Sequence, residues 1–355
     1  MKENVPADSL STQRQMLALQ LSYRCNAICR SCAFDCSPGS LDVMSMRNAC
    51  KVLDRANDLP VAPIIGFTGG EPFFHLNFLR DLCRLIKNKL DFKIIISTNA
   101  FWAKTIDQTK DLLQEFLNLG LVSLLISMDD FHQEFVPLGN IRNTLTIAQD
   151  LNITCALQCI ETRTSRKADD FIQELDIELK EDLVKIVSNP CTPVGRAVRE
   201  IPEDEFVHSW QNQAGTCSML SIWLTDPRGK VVSCCGPVVE EFPFVGNAFE
   251  ESIADIIHSA NADPLLNALA AWGGPFLLFK VLAENGFPHF ATGRYVSACH
   301  ACYCLFRNQA AMDVLREKLS ERQVELAAAR LIARENLKDW RLSGKEDTLS
   351  IPAAW

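Results

Sequence analysis

The chain has 355 residues, 48% hydrophobic and 22% charged, proportions that exclude a disordered or collagen-like protein and suit two domains or one elaborated α/β barrel. A formal net charge of −9, from 35 Lys and Arg against 44 Asp and Glu, with no block of Lys and Arg, argues against a nucleic-acid partner. The opening stretch has no apolar signal core and no later run nears the roughly 18 apolar residues of a membrane span, so no membrane association and a cytoplasmic location are expected.

Apolar, β-branched runs occupy residues 16–23, 63–68, 92–98, 121–128, 153–160 and 183–187. From the second run on, their starts fall about 30 residues apart, the length of a strand-crossover-helix unit. Between them the pattern turns helical, as at Leu79, Leu82, Cys83, Ile86 and Leu90, or at Leu112, Leu113, Phe116 and Leu117 before the stop signal Gly120. Strands this uniformly apolar need cover on both faces, which predicts a parallel sheet wrapped by helices. The fold class read from this is α/β, a partial (β/α)6 TIM barrel over 16–205 with function at the carboxyl ends of its strands. After Pro193-Val194-Gly195-Arg196 the rhythm breaks, and residues 221–233 read as a hairpin turning at Asp226-Pro227-Arg228-Gly229. A small cysteine-rich domain is expected over 206–307, and a helical extension over 308–355.

Fifteen cysteines, an odd number, in a chain without a secretory signal point to metal or redox chemistry rather than disulfides. Cys50, Cys83, Cys155 and Cys159 fall inside apolar patterns and read as ordinary buried residues. Cys25, Cys29 and Cys32, spaced C-x3-C-x2-C directly after the first run, can hold three irons of a cubane and leave the fourth open to a ligand. A structural zinc with Cys36 as the fourth ligand is the competing reading. After the second run comes Gly69-Gly70-Glu71-Pro72, where two glycines let the backbone approach a ligand closely and a carboxylate can accept from an ammonium group.

With both motifs in order, each at the carboxyl end of its own strand, the sequence resembles the radical SAM superfamily from about residue 16 to 200. The resemblance implies a 4Fe-4S cluster on Cys25, Cys29 and Cys32, whose open iron chelates S-adenosylmethionine (SAM), and SAM contacts from Gly69, Gly70, Glu71 and Pro72. It implies reductive cleavage of SAM by an external electron donor, and hydrogen abstraction by the resulting deoxyadenosyl radical. Asn99, Ser127 and Asp129 stand at later strand ends where the family contacts the cofactor. Asp130 and His132 read either as pocket residues or as helix-capping residues, and His75 as a satisfied structural histidine. The family's aromatic residue before the third cysteine is replaced by Ser31.

A second cysteine set follows: Cys217, Cys234, Cys299 and Cys302. A hairpin glycine, Gly229, brings the first two together and a C-x2-C loop supplies the others, for a cluster or a zinc ribbon. The pattern is similar to the Twitch domain, the half-size relative of SPASM, and implies one auxiliary 4Fe-4S cluster. Cys36, Cys191, Cys235 and Cys304 remain, and Cys235 is the candidate hydrogen-atom donor to a substrate radical. Enzymes with such extensions most often modify ribosomally made peptides, so the resemblance implies a precursor peptide as substrate and epimerisation or cross-linking as the reaction. With about 16 residues before the first strand, the C-terminal part or a separate protein is expected to hold the leader. A small-molecule radical SAM dehydrogenase and a non-catalytic metal scaffold are the alternatives.

Overall fold

The computed structural model describes residues 16–54, 56, 64–90, 92–210, 217, 222–234, 236–238, 240–243, 245–271 and 274–321. Six parallel strands, β1 (Met16–Gln20), β2 (Ile64–Thr68), β3 (Lys93–Thr98), β4 (Leu121–Ser127), β5 (Thr154–Glu161) and β6 (Val184–Pro190), run side by side in sequence order. Each lies within two residues of the expected run at its start. Helices α1 (Met46–Leu53), α2 (Leu76–Lys89), α3 (Ile106–Asn118), the short α4 (Asp130–Gln133), α5 (Leu138–Asp150), α6 (Ala168–Leu175) and α7 (Ala197–Glu200) fill the intervals.

The helical period does its expected work: α2 buries Leu79, Leu82, Cys83 and Ile86, one stripe of a 3.6-residue repeat. The α3 helix begins at Thr105, whose side chain accepts from the Gln108 N–H. It is followed by Gly120 at φ 103°, a left-handed position where glycine carries no Cβ penalty.

The two faces of the sheet differ. Leu17, Leu19, Ile65, Phe67, Ile94, Ile96, Leu124, Ile126 and Leu157 are buried under the helices. The opposite face carries Gln20, Thr68, Ser97, Ser127 and Gln158, small or polar residues near the carboxyl ends of five adjacent strands, all but Gln20 partly exposed. Strands read as uniformly apolar thus turn every second residue to a concave surface that is polar near their carboxyl ends.

Past the barrel, β7 (Ile222–Thr225) pairs in parallel with β1, and β8 (Lys230–Val232) and β9 (Gly246–Asn247) continue antiparallel from it. The expected hairpin is present, with Gly229 at φ 90°. It forms part of the same sheet, which is nine-stranded among the described residues and runs across residue 205. Helices α8 (Ile253–Ala262), α9 (Pro264–Ala271), α10 (Pro275–Glu284), α11 (His289–Thr292), α12 (Ala298–Phe306) and α13 (Gln309–Glu321) follow. Of the expected terminal helix, the portion beyond Glu321 lies outside the described residues. No described helix is long and apolar enough to cross a membrane.

Candidate active site

The segment after β1 folds back on itself: Tyr23 N–H donates to the Asp42 carbonyl at 3.0 Å, Cys25 N–H to Ser37 at 3.1 Å, and Met44 N–H to Leu21 at 2.9 Å. This Ω-like excursion presents three cysteines from one short loop. Cys25 and Cys29 are 8% and 6% exposed, Cys32 is half-buried, and Cys29 accepts through its carbonyl from the Cys32 N–H at 3.1 Å. Burial, then the Glu71 carboxyl, pushes the Cys25 thiol up to about 12, with Cys29 and Cys32 close enough to add to it. Cys36 is also in this loop: its N–H donates to Cys32 Sγ at 3.4 Å, and its own thiol is pushed well up by Cys32 and by burial. Among the described residues no three His, Cys, Asp or Glu side chains converge on a point where one metal ion would sit. A cubane's cysteines bind different irons and surround a larger volume.

The Gly69-Gly70-Glu71 turn is bolted to this loop. Gly70 N–H donates to the Ser22 carbonyl at 2.7 Å and Glu71 N–H to the Arg24 carbonyl at 3.0 Å. A Cβ on Gly69 would stand 2.4 Å from the Ser22 oxygen, and one on Gly70 1.9 Å from that of Arg24. The close approach expected toward a ligand is therefore made first to the backbone of the cysteine loop. Pro72 is buried at the start of a 3-10 turn, Pro72–His75, and the Glu71 side chain caps that turn.

Glu71 is 1% exposed. Its Oε1 accepts from Phe73 N–H at 3.1 Å and Thr98 Oγ1 at 2.8 Å, and its Oε2 from Asn99 N–H at 2.7 Å. Those donors favour the carboxylate, yet burial outweighs them and lifts its pKa to about 7. Asn99 in turn reaches the cysteine loop, donating from Nδ2 to Asn26 Oδ1 at 2.9 Å and lying 3.8 Å from Cys25 Sγ. The carboxyl ends of β1, β2 and β3 thus hold Cys25, Glu71 and Asn99 in one network.

Asp129 and Ser127, both at the end of β4, have different roles. Ser127 lies on the polar concave face, whereas Asp129 is fully buried and caps α4. It accepts from the His132 N–H at 3.0 Å, pairs with His132 Nδ1 at 2.8 Å and accepts from Ile160 N–H at 3.3 Å. The carboxylate is spent inside the protein. Burial opposes charge on His132, but Asp129 and then Cys29 hold its pKa well above the usual value, so the imidazole sits between a carboxylate and a cysteine of the loop. Asp130 pairs outward with Arg166 at 2.7 Å. His75, expected to be satisfied, has a buried Nε2 with no hydrogen-bond partner among the described residues.

The cysteines of the second set lie within electrostatic reach of one another. Cys234, 4% exposed, has its thiol pushed well up by burial, with Cys217 and Cys299 adding to it. Cys302 responds to burial and then to Cys217, Cys299, Cys234 and Cys304. The loop expected around Cys299 and Cys302 is the first turn of α12, capped by Ser297, where a three-residue separation puts both on one face. His300, between them, is held neutral by burial and by His208, down to about 4, and accepts from Val296 N–H at 3.1 Å. Cys191 is 2% exposed and packs in the small apolar cluster around the first loop. Cys235 lies outside the described residues.

Missing from the sequence reading were Gln20, Thr68, Ser97 and Gln158. Their only signal was a polar residue near each strand end, which acquires meaning once register places them on one face.

These features define a parallel α/β barrel with thiols gathered at its carboxyl rim. Residues 19–175 match the radical SAM superfamily. The chain is 25% identical over 300 residues to YydG of Bacillus subtilis (strain 168), which is named for a role in peptide biosynthesis, covering 82% of this chain and 92% of YydG. It is 34% identical over 131 residues to the tungsten-containing aldehyde ferredoxin oxidoreductase cofactor-modifying protein of Pyrococcus furiosus, 35% of this chain and 34% of that protein. The solved structure of native anSMEcpe with bound AdoMet and Cp18Cys peptide shares the fold, with a TM-score of 0.52 at 13% identity over 89% of this chain and 99% of that one.

Proposed function

We propose that the chain is a radical SAM enzyme that abstracts a hydrogen atom from a ribosomally made peptide, with Cys25, Cys29 and Cys32 as ligands of the SAM-binding cluster. The observation that carries this is the network joining Cys25 to Glu71 through Asn99, which unites the thiol loop with the Gly-Gly-Glu turn. The donor set suits the group: three thiols from one loop, with an amide N–H near one sulfur. Bound there with SAM, a 4Fe-4S cluster supplies the electron that cleaves SAM and so generates the hydrogen-abstracting radical.

The chain's own residues do the rest. Gly69 and Gly70 bring the turn against the loop and hold its geometry, Glu71 and Asn99 fix the strand ends, and the hydroxyls and amides of the concave face offer hydrogen bonds to what lies above them. Asp129 orients His132 rather than touching SAM. Cys217, Cys234, Cys299 and Cys302 would hold an auxiliary 4Fe-4S cluster, and Cys235 remains the proposed hydrogen donor of an epimerisation. The peptide substrate is supported by the similarity to YydG along most of both chains.

Two measurements test the reading. Changing Cys25, Cys29 and Cys32 together to Ala should remove one cluster's iron and abolish 5'-deoxyadenosine formation from SAM with dithionite; retention of that product would overturn the ligand assignment. Peptide turnover in D2O should add one mass unit for epimerisation, because a thiol hydrogen exchanges with solvent, whereas a cross-linked product would be two units lighter and would remove Cys235 from the chemistry.

A further inference from the structure

Arg196 lies outside the 19–175 segment, in the turn that follows β6, yet it is only 4% exposed, a rare setting for a guanidinium. Its Nη1 donates to the Cys29 carbonyl at 2.9 Å and its Nη2 to the Cys36 carbonyl at 2.7 Å. Its backbone N–H donates to the Cys32 carbonyl at 2.9 Å. Asp35 pairs with the same guanidinium at 2.9 Å and Glu200 at 3.8 Å. Gly195, at φ 56°, is pressed so close that a Cβ would stand 2.3 Å from the Ala33 carbonyl oxygen and 2.6 Å from that of Cys32. Three of the loop's four cysteines are therefore tied through their backbones to one residue delivered from the far edge of the barrel. Asp35 and Glu200 are about half exposed, so water screens the negative charges more than the buried positive one.

We infer that Arg196 is a positioning residue for the cluster: its planar fork sets the spacing of the Cys29 and Cys36 backbones, and its buried charge favours the reduced, more negative cluster. The inference rests on Cys25, Cys29 and Cys32 being the ligands. It separates into two parts because lysine supplies a charge without the fork, and methionine supplies volume without either.

The test uses the full, reconstituted chain and its Arg196→Lys and Arg196→Met variants. Three quantities are measured: iron per chain, the rate of iron loss to a chelator, and the midpoint potential of the SAM-site cluster from an EPR-monitored titration. Both variants should lose iron several-fold faster than the wild type. In Arg196→Met the reduced-to-oxidised ratio at a fixed potential should fall about tenfold, or about 59 mV for a one-electron couple, while Arg196→Lys should stay near the wild-type potential. Wild-type retention and potential in both variants would overturn the role. If the methionine variant does not fold, iron loss from the lysine variant decides: faster loss supports the fork and an unchanged rate rejects it. A wild-type chain that takes up no reducible cluster at the first loop would overturn the ligand assignment beneath the inference.

Discussion

Replacing Gly70 with Ala probes the contact on which the site is built. The new Cβ would lie 1.9 Å from the Arg24 carbonyl oxygen, against a practical minimum of 3.0 Å, so the two backbones must part by about 1.1 Å, the difference between those distances. That separation breaks the Gly70 to Ser22 bond of 2.7 Å and the Glu71 to Arg24 bond of 3.0 Å. A buried N–H left without its partner costs about 1–3 kcal/mol; with Gly70 partly exposed, water offsets part of this, and at about 1–2 kcal/mol each the two groups together come to about 2–4 kcal/mol. At roughly 2–4 °C per kcal/mol for a unit of barrel size, the melting temperature should fall by roughly 5–15 °C. A displacement of about 1 Å near reacting groups can cost on the order of 100-fold in rate. Iron per chain should change little, because no thiol is touched, while 5'-deoxyadenosine formation with SAM and dithionite should drop by about two orders of magnitude. Wild-type melting and wild-type cleavage in Gly70→Ala would refute the view that this contact sets the geometry.

Changing Cys302 to Ala should remove the iron of the auxiliary site and stop peptide turnover while SAM cleavage without peptide continues; unchanged iron content would reject Cys302 as a ligand, and zinc in the wild-type protein would favour a ribbon. For Glu71, the folded pKa of about 7 lies above the ordinary 4.5, so the folded chain keeps a proton that the unfolded chain has released. Stability from this residue is then complete below about pH 4.5 and is lost as pH rises to about 7, by roughly 3 kcal/mol. Without SAM, the advantage of wild type over Glu71→Gln in unfolding free energy should shrink by about that amount between pH 4.5 and 8, and parallel pH profiles for the two would contradict the burial argument.

The barrel strands were legible because burial on the helix side demands aliphatic residues in runs, and those runs announce themselves. The polar concave face was hidden in the same runs. Gln20 and Ser97 look like interruptions until the pairing of Gln20 with Thr68 and of Ser127 with Gln158 puts them on one surface. The thiol loop and the Gly-Gly-Glu turn were readable as motifs, but not the reason for the glycines: a linear sequence does not show that the Arg24 carbonyl occupies the space of a side chain. The expectation of a cofactor contact at Asp129 rested on a strand-end position that ligand-binding and helix-capping residues share, and the sequence did not show the 2.8 Å contact with His132. Arg196 gave no sign at all, since an arginine in a Gly-containing turn ordinarily faces water. The parallel return of β7 to β1 was equally invisible, because a four-residue run beside a hairpin signal names its local partner and not its distant one.

That return has a consequence for synthesis of the chain. Met16 finds its neighbour Ile222 only after some two hundred further residues have been made, which at typical elongation rates of about 5–20 residues per second takes on the order of 10–40 s. Through that interval β1 offers β7's place in the sheet as an unpaired edge, a template for aggregation, beside a loop of cysteines not yet clamped by Arg196. The nascent chain therefore depends on its last third to seal the first strand.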